Sequence, residues 1–427
     1  MLIENVFKKA ISSPYCNTSY PLDKSNWEDY KIDGDVLFKD EDNLCLYIHI
    51  PFCNKLCAFC EYIKFRKDND QYEKKYMDIL EKDIESFLNN NSFKLYGFDI
   101  GGGTPTCLNL DNFNRLMNIA KKINSLNNIA DYEPSIEATF DTLNLDKLKL
   151  ISSAGFKRIS LGVQTTNTKM LNCQNRNIVT VDKMLSTFNL IRENGIEKIN
   201  IDFMYGIFGQ TMTDIENSVR CVEVLNPDQV TLYEMRYNQI HNKKSILKDE
   251  LYKQYKVIYD SLIKLGYKGQ FGQNTFSKDK KDSGLSSYLR YRMIDNISYK
   301  GFGIAAQSKS KLGISYNIGK NHESIEECFK KETFYADDIY LLPKEELVAK
   351  YIMISLYFGK FNLDIVSDIL KDDSKKYYEE ELNYLISNKY IRIKNNIVEV
   401  TMKGFKYYGA IGALFYSKKV KKWLLGE

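Results

Sequence analysis

The chain has 427 residues, of which 44% are hydrophobic and 27% are charged, and its formal net charge is +4. This is an ordinary globular composition, and the length predicts two or three domains. The charge is too small to indicate a nucleic-acid partner, and no apolar run reaches the roughly 18 to 20 residues that a membrane span requires. Nine irregularly spaced cysteines and no charged-then-apolar leader argue against a secreted protein, so we expect a cytoplasmic location.

Residues 1–43 are polar and aromatic and contain a turn-rich run that ends at Pro21, so we interpret them as an arm laid over the main body. From Leu44 onward, short β-branched or aromatic runs alternate with longer segments of helical period. This alternation predicts strands at 44–52, 95–101, 135–140, 158–164, 198–206 and 229–235. It predicts helices near 71–90, 111–125, 144–154, 180–194, 212–225 and 249–265.

Repeated strand–helix units build a parallel sheet with right-handed crossovers. Six of them predict an α/β fold with a partial (β/α)6 barrel over residues 44–270, and an open doubly wound sheet is the competing arrangement. The positions of unusual residues favour the barrel. A cysteine loop follows the first strand, a Gly-Gly-Gly turn follows the second, and polar residues lie in or at the ends of the others. They converge on the rim where such barrels place their chemistry.

Residues 271–427 are predicted to form a C-terminal domain. Within it, residues 345–404 are predicted as three helices and then two strands joined by Asn395 and Asn396, which is the outline of a winged helix. Its candidate recognition helix near 375–388 has three acidic and two basic residues, so attraction to phosphate would be weak. We therefore expect a structural cap and no nucleic-acid partner.

Three cysteines, Cys53, Cys57 and Cys60, are spaced C-x3-C-x2-C. A [4Fe–4S] cube normally takes four thiolates, so three cysteines without a fourth nearby indicate an iron that is open to another ligand. A closed zinc site normally has four Cys or His ligands, and His49 lies on a predicted strand that directs it away from the loop. Zinc and coincidental burial of the three thiols stay open as alternatives.

Other residues near this loop are candidate ligand contacts. Tyr47 shares a strand face with His49 and is the better candidate of the two. Three consecutive glycines at 101–103 permit a polar ligand to approach the backbone closely, and Thr104 adds a hydroxyl. Asp202 lies in an otherwise apolar strand, where an unpaired carboxylate is expensive to bury, so we favour a functional role over a structural one.

Four motifs together resemble radical S-adenosylmethionine (SAM) proteins of the oxygen-independent coproporphyrinogen III oxidase family. They are Tyr47–Cys60, Gly101–Thr106, Ile159–Gln164 and Asn200–Gly206. The similarity runs in register from Tyr47 to Tyr233, continues more loosely through 300–308 and reappears at 400–404. It implies a radical SAM barrel followed by the C-terminal domain of that family.

The resemblance implies that Cys53, Cys57 and Cys60 hold a [4Fe–4S] cluster and that SAM chelates the fourth iron. One electron, from a donor such as flavodoxin or ferredoxin, then cleaves SAM to methionine and a 5′-deoxyadenosyl radical in a dry pocket. Residues that match contacts to the cluster-bound SAM are Tyr47, Gly102 and Glu137. Residues that match contacts to a second SAM-sized ligand are Phe59, Gly103, Thr104, Gln164, Arg176 and Asp202. Glu137 and Arg176 have a structural alternative, which is an ion pair between them.

The chain departs from the oxidase pattern directly after the triplet. The oxidase has a fourth cysteine where this chain has Tyr62, and the pair Glu61-Tyr62 resembles the heme chaperone branch and the class C radical SAM methyltransferases. The segment at 18–21 resembles the oxidase's N-terminal arm instead. The implied function is oxidative decarboxylation of a tetrapyrrole propionate, with heme transfer by a chaperone and class C methyl transfer as alternatives. The number of bound SAM molecules, the substrate and the oligomeric state stay open.

Overall fold

The structure, a computed structural model, describes residues 2–12, 20–34, 36–39, 41–67, 69–235, 248–319 and 322–427. Within these residues the largest element is an eleven-stranded, mostly parallel sheet. The strands up to residue 277 are β1 Asn43–Ile50, β2 Phe52–Cys53, β3 Phe65–Arg66, β4 Lys94–Gly102, β5 Ser135–Ala138, β6 Arg158–Gln164, β7 Lys198–Tyr205, β8 Gln229–Glu234 and β9 Thr275–Ser277.

Helices alternate with these strands and begin at polar side chains that accept a hydrogen bond from the first helical turn. Asn69, Asn109, Asn144 and Thr180 cap four of them, and Thr211 forms a capping box with Asp214. The helices of this part of the chain are α1 Leu2–Ser12, α2 Asp70–Asn90, α3 Leu110–Asn124, α4 Leu145–Ser153, α5 Thr168–Cys173, α6 Val181–Glu193, α7 Met212–Leu225 and α8 Lys248–Lys264.

The predicted α/β class is confirmed, and the six predicted strands correspond to β1 and β4–β8. Four further strands extend the sheet, namely β10 Ser298–Phe302, β11 Gln307–Lys309, β12 Gly313–Asn317 and β13 Ala336–Leu341. The strand order is β13-β12-β11-β10-β1-β4-β5-β6-β7-β8-β9. Strand β10 pairs in parallel with β1, whereas β9 and β11–β13 are antiparallel to their neighbours. The part of the chain after residue 270 therefore shares this sheet, and the domain bounds 44–270 and 271–427 stay predictions.

Residues 345–404 contain helices followed by the predicted pair of strands, and a further short strand at Lys360–Asn362, which was not predicted, joins that pair. The three-stranded sheet has the order Lys360–Asn362, Ile397–Val400, Ile391–Lys394, and Asn395 and Asn396 in the turn between the last two strands both have positive φ. Among the described residues, no helix is long and apolar enough to cross a membrane. The elements are α9 Ser287–Met293, α10 His322–Lys331, α11 Lys344–Leu356, β14 Lys360–Asn362, α12 Leu363–Leu370, α13 Ser374–Tyr377, α14 Glu379–Ser387, β15 Ile391–Lys394, β16 Ile397–Val400, α15 Met402–Phe405, α16 Tyr408–Ala413 and α17 Lys418–Leu425.

The described part of the N-terminal arm is held on α11 by buried polar contacts. Glu346 is 1% exposed and accepts hydrogen bonds from the Tyr20 hydroxyl at 2.5 Å and from Trp27 Nε1 at 2.8 Å. Lys350, one turn further along α11, donates to the Tyr20 carbonyl at 2.7 Å. Both donors reach Oε2, whereas the buried Oε1 has no hydrogen-bond partner among the described residues. Without Glu346, Tyr20 and Trp27 would each be left with a buried donor and no acceptor.

We expect Glu346→Ala to lower the free energy of unfolding by about 2 kcal/mol, because two buried donors lose their charged acceptor. Chemical denaturation followed by tryptophan fluorescence measures this effect, since Trp27 is one of two tryptophans. The matched control is Glu345→Ala, which removes an exposed hydrogen bond to Tyr377 and should change stability by less than about 0.5 kcal/mol. Equal effects of the two substitutions would contradict the prediction.

Candidate active site

A cavity of about 480 Å³ opens at the carboxyl ends of the parallel strands. This volume lies within the usual range for small-molecule sites. Eleven of the twelve predicted site residues line it: Cys53, Cys57, Phe59, Cys60, Gly102, Gly103, Thr104, Glu137, Gln164, Arg176 and Asp202. The exception is Tyr47, which stacks on Tyr288 with the ring centroids 5.5 Å apart. The parallel register explains the convergence, because equivalent strand ends lie along one rim.

The cysteine loop begins at the end of the short strand β2 and is tied to the barrel at several points. The Cys53 sulfur lies 3.6 Å from Thr104 Oγ1, which joins the loop to the glycine turn. The Ala58 amide donates to the Gln174 carbonyl at 3.0 Å, and Asn175 Nδ2 donates to the Leu56 carbonyl at 3.0 Å. The loop is therefore held against the segment after α5 before any ligand binds.

The three thiols differ in their surroundings. Burial raises the pKa of the Cys53 thiol to about 11 and also raises the pKa of Cys60. Arg176 directs Nη1 towards the Cys57 sulfur at 3.7 Å and donates from Nη2 to the Gly162 carbonyl at 2.5 Å. Buried thiols of this kind lose their proton when a metal takes its place, and a fixed guanidinium beside them favours an anionic group.

The glycine turn is shaped by close contacts that exclude larger residues. Gly102 has φ +119° and a Cβ there would lie 2.7 Å from His49 Nδ1. Its amide donates to Glu137 Oε2 at 3.1 Å. His49 is 4% exposed, has Nε2 3.2 Å from the Ile63 carbonyl, and burial lowers its pKa to about 4. The histidine is thus a neutral core residue under the turn, as the strand pattern predicts.

Three of the carboxyl groups that line the cavity have raised pKa values. Burial, followed by repulsion from Asp202, raises the pKa of Glu137 to about 7. Burial also raises the pKa of Asp99 to about 7 and raises that of Asp202. Asp202 accepts hydrogen bonds from Ser160 Oγ at 3.1 Å and from Asn200 Nδ2 at 2.8 Å, so its structural and functional roles are compatible. This concentration of acidic groups favours a ligand that carries positive charge at this end of the cavity.

Glu137 makes stability depend on pH. Its pKa is higher in the folded chain than in the unfolded chain, so the folded state holds a proton between about pH 4.5 and pH 7 that the unfolded state has lost. Raising the pH through that range therefore destabilises the fold, and the loss levels off above it. Because Glu137 is open to the cavity, water screens the charge, and we expect the effect to be about 1 kcal/mol.

We expect Glu137→Gln to remove this pH dependence, so that the cluster-free variant gains about 1 kcal/mol over wild type as the pH rises from about 5 to about 8. Thermal unfolding at several pH values measures the difference. Glu193→Gln, an exposed substitution outside the cavity, should follow the wild-type profile. A Glu137→Gln profile parallel to wild type would show that the carboxyl titrates normally.

Sequence reasoning missed Asp99 and the part of the cavity lining that α9 and the end of α11 contribute, which we call the far wall. Asp99 lies on β4 and lines the cavity. The sequence pattern that could have identified it is a carboxylate between two buried apolar residues, Phe98 and Ile100. The far wall carries no motif and comes from α9 and the end of α11, with side chains of Leu289, Arg292, Met293, Ile354, Tyr357 and Phe358. An ion pair between Arg176 and Glu137 was the structural alternative for these two residues. The described residues show no salt bridge between them.

The Radical SAM superfamily model matches residues 47–222, which span the cysteine loop, the glycine turn and strands β4–β7. The chain carries a radical SAM domain. Radical SAM proteins as a class use a [4Fe–4S] cluster and SAM. The predicted resemblance is therefore confirmed at the level of the superfamily.

Curated relatives of this chain have two different names. The heme chaperone HemW of Bacillus subtilis is 27% identical over 312 residues, which cover 70% of this chain and 80% of the relative. The oxygen-independent coproporphyrinogen III oxidase of Escherichia coli is 34% identical over 226 residues, which cover 51% of this chain and 48% of the relative. The solved structure of coproporphyrinogen III oxidase (HemN) from E. coli has a TM-score of 0.73 and 23% identity over 88% of this chain and 91% of that one. This likeness confirms the fold.

The cavity fits an iron–sulfur cluster on several counts. Three thiols lie on one anchored loop, a guanidinium stands beside one of them, and a Cβ on Gly103 would lie 2.9 Å from the Cys53 sulfur. In the described parts of the chain, no three Cys, His, Asp or Glu side chains are grouped to hold a single metal ion. A cluster does not need such grouping, since each thiolate binds a different iron.

Proposed function

We propose that this radical SAM protein is an enzyme that holds a [4Fe–4S] cluster on Cys53, Cys57 and Cys60 and binds SAM beside it. Tyr47, Gly102 and Glu137 are proposed as contacts of the cluster-bound SAM. The proposed contacts of a second SAM-sized ligand are Phe59, Gly103, Thr104, Gln164, Arg176 and Asp202. Support comes from the shared cavity, which eleven of these twelve residues line.

The proposed reaction is oxidative decarboxylation of a propionate side chain on a tetrapyrrole. The observation that carries it is the far wall of the cavity, where Met293, Ile354, Tyr357 and Phe358 present apolar and aromatic surface in the same cavity as the cysteine loop. Such a wall suits a large, flat, apolar ligand. The relative named as an oxidase provides the reaction class.

When bound, the cluster and SAM would supply the radical chemistry that activates an unreactive carbon–hydrogen bond. Conversion of the propionate to a vinyl group removes one hydrogen atom, carbon dioxide and one electron, and the electron would pass to an external acceptor. The residues of the chain bind and enclose the reactants. Glu137 and the Gly102 amide form a polar contact beside the cysteine loop, and the apolar wall excludes water from the reactive carbon.

Anaerobic reconstitution with iron and sulfide, followed by SAM, a strong reductant and coproporphyrinogen III, tests the proposal. We expect 5′-deoxyadenosine and a decarboxylated porphyrinogen in proportion to each other. If an intact cluster yields no 5′-deoxyadenosine, the enzymatic proposal fails. If 5′-deoxyadenosine appears together with S-adenosylhomocysteine and no decarboxylation, the reaction is a methyl transfer of the class C type.

A heme chaperone is the second candidate function. It is supported by Tyr62, which stands where the oxidase has a fourth cysteine and lines the cavity mouth, and by the greater length over which HemW relatives match. Tyr62 is 69% exposed, so it is accessible to a large ligand. Stoichiometric heme binding without decarboxylation of coproporphyrinogen III would favour this function over the oxidase.

A further inference from the structure

Arg292 is a cavity-lining arginine on α9 that no motif singles out. Its guanidinium lies over the rings of Tyr288 and Tyr299, 5.1 Å and 4.4 Å from their centroids. Nη1 donates to the Tyr288 hydroxyl at 2.6 Å. Two ring faces and one hydroxyl hold the guanidinium in place, yet only one of its five N–H donors is used in this contact.

Arg292 has no ion-pair partner among the described residues, although the charge of Asp99 interacts with it from further away. In the described residues, no carboxylate oxygen lies within 4 Å of its guanidinium. Asp99 also lines the cavity, but its Oδ2 accepts from Ser286 Oγ at 2.5 Å and its buried Oδ1 has no hydrogen-bond partner. An arginine stays protonated in a protein, and a charge withdrawn from bulk water without a counter-ion is costly. Such a group is expected to receive an anion from the ligand.

The position of Arg292 follows from an unusually close contact between α9 and the sheet. Helix α9 packs on β4 and β1, and Gly97 of β4 permits this, because a Cβ there would lie 2.6 Å from the Tyr288 Cα. The Ser287 hydroxyl further accepts from the Glu133 amide at 3.0 Å. Arg292 therefore lies on a closely packed helix that lines the cavity, together with the apolar residues Leu289 and Met293.

We propose that Arg292 is the anchor for a carboxylate of the ligand and determines specificity for acidic over neutral tetrapyrroles. The guanidinium offers paired donors to the carboxylate, and the apolar residues of α9 and α11 contact the ring system. The choice of a tetrapyrrole rests on the proposed function, whereas the carboxylate subsite rests on the geometry of Arg292.

The test measures binding of coproporphyrin III and of its tetramethyl ester to the anaerobically reconstituted full chain by absorbance titration. We expect wild type to bind the acid at least ~10-fold more tightly than the ester. Arg292→Gln should weaken binding of the acid by at least ~10-fold and leave the ester unchanged, with Arg292→Lys between the two. The matched control is Arg290→Gln, since Arg290 lies outside the cavity and pairs with Asp295 at 3.6 Å.

Wild type that binds neither compound, or that binds acid and ester equally, would overturn the proposal. So would an acid affinity that Arg292→Gln leaves unchanged. The comparison of acid and ester in wild type does not depend on the folding of any variant. Failure of the proposed reaction gives a different result. Binding would then still select the acid and depend on Arg292, but coproporphyrinogen III would not be decarboxylated. That outcome would support the carboxylate subsite and reject the oxidase function.

Discussion

The Cys57→Ala variant, after anaerobic reconstitution, is expected to lose the visible absorption of the cluster and to form 5′-deoxyadenosine more than ~100-fold more slowly than wild type. Loss of an outer hydrogen-bond partner of a metal site already costs 10- to 100-fold, and loss of a direct ligand costs more. Among the described residues, Cys57 is the thiol whose sulfur contacts the Arg176 guanidinium. Iron analysis and absorbance measure loading, and chromatography measures the product.

The matched control is Cys173→Ala, which removes an exposed thiol on α5 outside the cavity. We expect it to load iron and cleave SAM as wild type does. Full cluster loading of Cys57→Ala would remove Cys57 from the ligand set. Equal loss in both variants would indicate that the reconstitution depends on total thiol content.

Gly103→Ala is expected to lower the free energy of unfolding by about 3 kcal/mol and to reduce cluster loading at least ~10-fold. A Cβ at this position would lie 2.7 Å from the Phe52 carbonyl oxygen, 2.8 Å from the Pro51 carbonyl carbon and 2.9 Å from the Cys53 sulfur. Two of these three atoms belong to backbone, which cannot move aside as a side chain can. The Gly103 amide also donates to the Ile50 carbonyl at 2.8 Å, which restricts any shift of the turn.

Chemical denaturation of the cluster-free protein measures the change in the free energy of unfolding, and iron content after reconstitution measures cluster loading. Gly266→Ala is the control, because Gly266 has φ +90° and open space around it. This substitution introduces backbone strain without a steric clash, and we expect it to lower the free energy of unfolding by about 1 kcal/mol. If Gly103→Ala costs no more than this control and loads iron fully, the turn does not position Cys53.

The local parts of the site were predictable because each depends on neighbouring residues. The spacing of Cys53, Cys57 and Cys60 on one loop, the glycine run before Thr104 and the two-residue alternation of the strands are short-range patterns. The strand ends were predicted to converge because parallel strands share a rim, and the cavity lined by Glu137 and Asp202 agrees with this. Tyr47 lies outside that lining because it stacks on Tyr288, a residue of α9 that is 241 positions further along the chain (288 − 47).

By itself, the sequence determined the alternating α/β architecture, the cysteine loop and the glycine turn, since periodicity and motif spacing are properties of neighbouring residues. Tertiary structure alone decided the far wall. Strand β10 pairs with β1, and Gly97 permits α9 to pack closely on β4. Arg292 of α9 and Phe358 after α11 therefore line the same cavity as Cys53. Contacts over more than two hundred residues leave no periodic signal, because they depend on the complete path of the chain and on the packing of side chains that are distant in sequence.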